Sequence, residues 1–567
     1  MSIIDWFVMC GFLAFVVIYG TWKTRKPKDF DYYLRTGKTT AWWTIALSIM
    51  ATQASAITFL STPGQAYVDG MRFVQFYLGL PVAMIILSIT AVPLYNKLNV
   101  YTAYEYLEKR FDLKNRLLGS GLFLTQRGLA AGFTIYAPAL ILSVILGWEI
   151  NTTIILMGGM VILYTTIGGT EAVNKTHLIQ MIIITSGMFS AFFMIFVLLP
   201  DDVSVIDAAY IAGKMGKLNA IDFTFDLSNR YTFWSGIIGG YFLMLSYFGT
   251  DQSQVQRYLA GSSVAQSRMG LLTNGIVKVP MQFIILFIGA MVFVFYQFVT
   301  PPLFFNPVEE RIVKNSVRSS EYLQLEESYD HVNEQKQKSI KDLLSAIRNN
   351  NEKVIEDKTS EVHFKNEEAS IIKKDAIKLI KETNPGSDGN DTNYIFLTFI
   401  TKFLPVGLIG LLLAAILSAS MSSTSAELNA LASTTVVDFY KRLIKKNGSD
   451  RQYLNASKAA TVFWGIYAIL FALFANNLGS LIEAVNILGS LVYGTILGIF
   501  LTAFYLKKVN GTATFAAAII AELLVLYSYL FTKIPFLWYN VIGCMTVIII
   551  SLLINNFLKT KSQNSAN

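Results

Sequence analysis

The chain has 567 residues, of which 53% are apolar, 13% aromatic and 15% charged, with a net charge of +8 and a mean hydropathy of +0.47. A soluble chain of this length carries about 25% charged residues, so the composition excludes a soluble multidomain protein, a disordered chain and a fibrous repeat. The two cysteines, Cys10 and Cys544, lie in separate apolar runs and offer neither a disulfide framework nor a cysteine metal site.

Apolar runs of helix length follow one another near 1–22, 43–66, 72–95, 118–147, 150–169, 176–199, 231–250 and 270–299, then near 394–424, 458–476, 479–506, 512–532 and 535–557. The expected fold is an all-α polytopic membrane protein with about 13 transmembrane helices. Asp5 precedes the first apolar run and Lys23, Arg25 and Lys26 follow it, the reverse of a signal peptide. The segment reads as a retained helix with its N-terminus outside. The inside loops and C-terminus then carry 24 Lys+Arg against 5 in the short outside loops, a positive-inside bias that places the C-terminus in the cytoplasm. The basic excess thus belongs to a membrane face, and no nucleic-acid partner is expected. Short tails without a targeting extension point to a bacterial inner membrane.

Residues 306–394 differ in kind, with 18 Asp+Glu and 14 Lys+Arg among 89 residues. Parity puts them outside, between the eighth and ninth spans. The stretches 339–347 and 367–381 alternate like amphipathic helices. A solvated helical elaboration without chemistry is the plain reading, and docking of a protein partner is the alternative.

Polar stretches inside a span are costly and mark function. The second span carries Ala51-Thr52-Gln53-Ala54-Ser55-Ala56-Ile57-Thr58 and then Ser61-Thr62-Pro63-Gly64. Small and hydroxylated residues with Pro-Gly suggest an unwound helix whose carbonyls face a cation, or else close helix packing. The ninth span repeats the theme from Ser418 to Ser425, with six hydroxyls in eight residues. Ser422 and Ser423 are neutral oxygen donors, suited to a monovalent cation better than to Mg²⁺ or Ca²⁺. Two broken segments in two halves point to a secondary transporter with an inverted repeat.

Three motifs make the reading specific: Thr250-Asp251-Gln252-Ser253-Gln254-Val255-Gln256-Arg257-Tyr258-Leu259, Gly168-Gly169-Thr170-Glu171-Ala172-Val173 with Gln180, and Tyr101 to Phe111. On these the chain resembles the sodium/solute symporter family, which includes sugar, proline, sialic acid, iodide and multivitamin cotransporters. The resemblance covers nearly everything except 306–394. It implies a leucine-transporter-like core of two inverted five-helix repeats, 43–199 and 231–506, behind a leading helix at 1–22 and before two trailing helices at 512–557. It also implies sodium as the coupling ion, no organic cofactor, no enzymatic activity and alternating access. Sodium would be held by the carbonyls of Ala51, Ala54 and Ala419 and the hydroxyls of Ser422 and Ser423.

The departures narrow the solute. Thr176-His177 stands where the family reads Thr-Asp, so one sodium site is expected, with His177 either a proton or second-ion position or a satisfied interior histidine. Thr58, Tyr77 and Met244 stand where sugar carriers place glutamine, glutamate and asparagine, which would leave sugar hydroxyls poorly paired. Tyr247 matches the aromatic that closes the pocket from the inside. Arg127, in the fourth span, is either the partner of a solute carboxylate, as in sialic acid carriers, or a structural ion pair. Gln53, Gln75, Thr134, Ser246 and Asn486 complete the candidate lining, while Lys278 and Lys402 read as span-end anchors. A sodium-driven importer of a small organic or inorganic anion is the expected function. Proton coupling, a sugar or amino-acid solute, and a transporter-like sensor are its rivals.

Overall fold

The computed structural model describes the backbone of residues 1–23, 40–387, 389–474 and 479–564; side chains at 17, 20–23, 168–178 and 559–564 lie outside the description. Among the described residues there is no β-strand, only an isolated bridge between Thr40 and Gly261. Among the described residues ten helices are long and apolar enough to cross a membrane, and Ile3–Val16 is a shorter apolar stretch. Against the expected thirteen, the first run counts only as that shorter stretch, part of the second joins the third in Ala56–Leu98, and the seventh is interrupted.

α1 (Ile3–Lys23) leads. The second run is cut into α2 (Trp42–Gln53) and α3 (Ala56–Asp69), and a 3-10 stretch, Gly70–Tyr77, leads into α4 (Leu80–Ile89) and α5 (Ala91–Leu98). α6 (Tyr104–Arg110) is a short connector, and α7 (Leu113–Leu146) opens with Asp112 accepting the Asn115 amide at 3.0 Å. α8 (Ile150–Val197) contains two membrane-length stretches, Ile150–Ile167 and Ile179–Val197. After the surface helix α9 (Val205–Lys214), the seventh run appears as a π-helical turn, Ser235–Gly240, continued by α10 (Tyr241–Thr250). α11 (Gln252–Leu259) and α12 (Val264–Phe298) follow.

The expected ninth span is two helices, α16 (Thr392–Phe403) and α17 (Leu408–Thr434). Gly407 separates them at φ +88°, a conformation that favours glycine. Asp5 of α1 accepts the Gly407 and Gly410 amides at 2.6 and 3.2 Å, satisfying orphan donors at the positive end of α17. A π-helical turn, Thr435–Ile444, extends α17, and α18 (Asp450–Phe474), α19 (Leu481–Tyr505), α20 (Gly511–Phe531) and α21 (Phe536–Asn564) complete the chain.

Between α12 and α16 lie α13 (Pro307–Lys314), α14 (Ser319–Arg348) and α15 (Glu352–Thr383). α14 and α15 form a helical hairpin that includes both amphipathic stretches read from the sequence. Tyr322, Tyr329, Ala376, Leu379 and Ile380 are buried in its own apolar core with Leu303 and Phe304. The hairpin docks back through Arg348, which donates to Asp207 at 2.9 Å, and Lys373, which donates to Asp391 at 2.7 Å.

Candidate functional site

The break between α2 and α3 falls at Ala54 (φ −86°, ψ 69°) and Ser55 (ψ 175°). The Ala54 amide still closes on Met50 at 2.8 Å, and the Thr58 hydroxyl takes the Gln53 carbonyl at 3.0 Å. Beyond these bonds the carbonyls of Ala51, Thr52 and Ala54 lie past the last regular turn, where helix ends leave acceptors free. Pro63 and Gly64, read as part of the unwinding, instead sit inside α3. There Gly64 lets α16 cross closely, since a Cβ would collide with the Thr392 carbonyl. The Pro-Gly pair therefore serves packing, and the small-residue run makes the break.

α17 packs against both α2 and α3. It is continuous through Ser418–Ser425, so the second break expected there is absent. The reason is local: Ser423 and Thr424 return their hydroxyls to the Ser420 carbonyl at 3.0 and 2.8 Å, as hydroxyls within a helix commonly do. Ser420 donates to the Thr134 carbonyl at 2.8 Å and Ser425 pairs with Thr165 at 2.7 Å. The Ser418 and Ser422 hydroxyls are buried without a partner among the described residues. In an unbroken helix the Ala419 carbonyl already accepts one bond and offers only its second lone pair. Ala51, Ala54, Ala419, Ser422 and Ser423 are all buried, on two packed elements, and present neutral oxygens. Such a donor set fits a monovalent cation.

Beside the break lies a cavity of about 100 Å³. Gln53, Thr58, Tyr77, Arg127, Thr134, Tyr247 and Asn486 line it, as does Met244. Gln75 and Ser246 do not. Gln75 ties the 3-10 stretch to the following loop, donating to the Tyr231 carbonyl at 3.0 Å and accepting from the Asp222 amide at 2.9 Å. Ser246 donates to the Tyr493 carbonyl at 2.7 Å, joining α10 to α19.

Two charged lining residues escape a reading of the sequence. Lys278 is not a span-end anchor: α12 begins at Val264, so Lys278 sits about 21 Å along it, 1% exposed, in the cavity wall. No described residue gives it a hydrogen bond or ion pair, and its nearest aromatic face, Tyr77, is 6.0 Å away. Glu427 lies beyond the expected end of the ninth span, yet α17 carries it inside as part of the cavity lining. A charge within an apolar run is the available signal for Lys278.

The cavity floor is a buried charge cluster. Arg127 donates to Asp251 through Nε at 3.1 Å and again through a terminal nitrogen, to Glu427 at 3.1 Å and to the Tyr493 hydroxyl at 2.6 Å. The Tyr493 hydroxyl in turn donates to Asp251 at 2.8 Å, and the Arg127 guanidinium lies 5.4 Å from the Tyr247 ring. One side chain thus ties α7, the α10–α11 junction, α17 and α19 together. Of the two roles considered for Arg127, this geometry is the structural ion pair. His177 lies outside the described side chains.

A family model for the sodium:solute symporter family matches residues 32–326 and 372–521, passing over 327–371, so the internal unmatched stretch is shorter than the expected 306–394. The chain is 26% identical over 557 residues to the sodium/sialic acid symporter SiaT of Proteus mirabilis, covering 96% of this chain and 93% of that protein. It is 32% identical over 279 residues to the human sodium/iodide cotransporter, covering 49% of this chain and 42% of that one. The solved structure of a Na⁺-coupled sialic acid symporter in a substrate-bound outward-open state superposes with a TM-score of 0.74 at 23% identity, covering 98% of both chains.

Proposed function

The chain belongs to the sodium:solute symporter family, and from that premise we propose that it imports a small organic anion together with sodium by alternating access. Lys278 carries the choice of an anion. A buried ammonium without a counter-charge costs several kcal/mol, and a solute carboxylate arriving in the cavity offsets that cost. Arg127, the sequence-based choice for this role, has four of its five N–H donors engaged and braces the floor. The Gln53 amide oxygen, buried and unpartnered, with Thr58 and Asn486 offers hydrogen bonds to the body of the solute. The names of the relatives, sialic acid and iodide carriers, support an anion.

Sodium sits, in this reading, between the Ala51 and Ala54 carbonyls at the break and the Ala419 carbonyl with the Ser422 and Ser423 hydroxyls of α17. Bound there it holds α2, α3 and α17 in one arrangement, and its loss frees them to rock. Segments 43–199 and 231–506 act as the two repeats that move, with the N-terminus outside and the C-terminus in the cytoplasm. One sodium with one monoanion moves no net charge, so the sodium gradient supplies the work: about 1.4 kcal/mol per tenfold gradient.

The test is uptake into proteoliposomes under an inward sodium gradient, with N-acetylneuraminate, short monocarboxylates, iodide, sugars and neutral amino acids offered separately. An anion is expected to be accumulated with sodium and not with potassium, and Lys278→Met to abolish it. Preferential uptake of a neutral solute, or anion uptake that survives Lys278→Met, contradicts the assignment.

A further inference from the structure

Two carboxylates on the cavity floor share one guanidinium. Asp251 takes two of the Arg127 N–H groups and also accepts the Tyr493 hydroxyl at 2.8 Å, the Ser253 amide at 2.8 Å and the Ser253 hydroxyl at 2.6 Å. Both of its oxygens are saturated by donors. Glu427 has far less. Its Oε1 accepts one Arg127 N–H at 3.1 Å, and its Oε2 lies 3.0 Å from the Thr134 hydroxyl.

That hydroxyl has a single hydrogen and lies 2.9 Å from the Ala131 carbonyl as well. With Glu427 ionised, Thr134 has to leave one of its two acceptors without a hydrogen. A proton on Glu427 Oε2 satisfies both contacts: Glu427 donates to Thr134 and Thr134 donates to Ala131. It also removes one of the two buried carboxylate charges that share the Arg127 guanidinium. We propose that Glu427 is a proton-binding site of the transport cavity, loaded and unloaded through the space its side chain lines.

The other charged or titratable groups around it are Arg127 on α7, Asp251 at the α10–α11 junction, Tyr247 on α10 with Arg257 on α11 beyond it, Tyr493 on α19 and Lys278, which lines the same cavity. On α8, Glu171, Lys175 and His177 lie outside the described side chains. When Glu427 loses its proton it becomes the stronger acceptor and competes with Asp251 for Arg127, drawing the guanidinium toward α17 and away from the α10–α11 junction. The proposal rests on the symporter reading above. In that cycle a proton carried with one sodium and one monoanion adds one positive charge, so uptake becomes responsive to membrane voltage.

Infrared difference spectroscopy of the purified full chain, wild type minus Glu427→Gln, tests it without a solute. The expected result is a protonated-carboxyl C=O band at neutral pH that is lost in the variant, shifts in D2O and fades as the pH is raised. If no such band appears at neutral pH, Glu427 is ionised and the proposal fails. If the band appears but ignores both D2O and pH, the proton is fixed and structural, and the proposal equally fails. Should Glu427→Gln not fold, Thr134→Val removes the acceptor of that proton and should move the band; an unmoved band overturns the assignment. Sodium-selective stabilisation is a separate measurement, so failure here and failure of the symporter reading are distinguishable.

Discussion

Replacing Ser422 with alanine removes a buried hydroxyl that no described group uses, whereas replacing Ser423 also strips a hydrogen bond from the Ser420 carbonyl. Both variants should raise the sodium concentration needed for half-maximal stabilisation. Only Ser423→Ala should also lower stability without sodium, by about 1 kcal/mol. Equal sodium dependence in wild type and both variants contradicts the placement of sodium. The two buried cations separate in the same way. Arg127→Gln strands Asp251 and Glu427 and should cost about 3–5 kcal/mol, read as a large fall in melting temperature. Lys278→Met removes an unpaired buried charge and should hold or raise stability while abolishing anion uptake. A destabilised Lys278→Met would mean that the ammonium has a structural partner.

At the scale of elements, the α14–α15 hairpin carries a usable anomaly. Lys336 is 4% exposed with no hydrogen bond or ion pair to a described residue, and burial pushes its ammonium down to about 8. The unfolded chain titrates near pH 10.4. The folded form therefore holds fewer protons between about pH 8 and pH 10.4, and stability rises with pH through that window. Lys336→Met should stabilise the protein at neutral pH and flatten that rise in pH-dependent thermal melts. At the crossing of α3 and α16, Gly64→Val should do the opposite, because the new side chain meets the Thr392 backbone; a loss of about 1–3 kcal/mol is expected. How much of this was legible differs by element. The hairpin showed in the amphipathic spacing, and the break at Ala54–Ser55 in a run of small and hydroxylated residues. The continuity of α17 did not show, because whether a serine-rich stretch unwinds depends on where its hydroxyls bond. The Arg127–Glu427 contact spans 300 positions, and nothing in the local pattern pairs the two. Lys278 appeared shallow because the apolar run starts later than the helix that holds it.

Across the whole molecule, the proposed ion site, the cavity and the charged floor lie where α2, α3, α7, α10, α12, α17 and α19 converge, within the region matched by the family model. The hairpin lines none of that cavity; part of it packs on its own residues, while Ile340, Leu343, Leu344 and Val362 join the main core. Replacing 327–371 with a short linker should therefore leave the sodium response intact; its loss in a folded deletion would assign the hairpin a part in coupling. The central claim is that an uncharged oxygen site between the α2–α3 break and α17 binds sodium. The most direct measurement is the thermal stability of the purified chain in sodium, potassium and choline chloride at fixed ionic strength. A ligand that binds only the folded state raises stability by RT ln(1 + [L]/Kd). A sodium-selective shift that Ser422→Ala weakens is the predicted result. Identical melting in the three salts would contradict it.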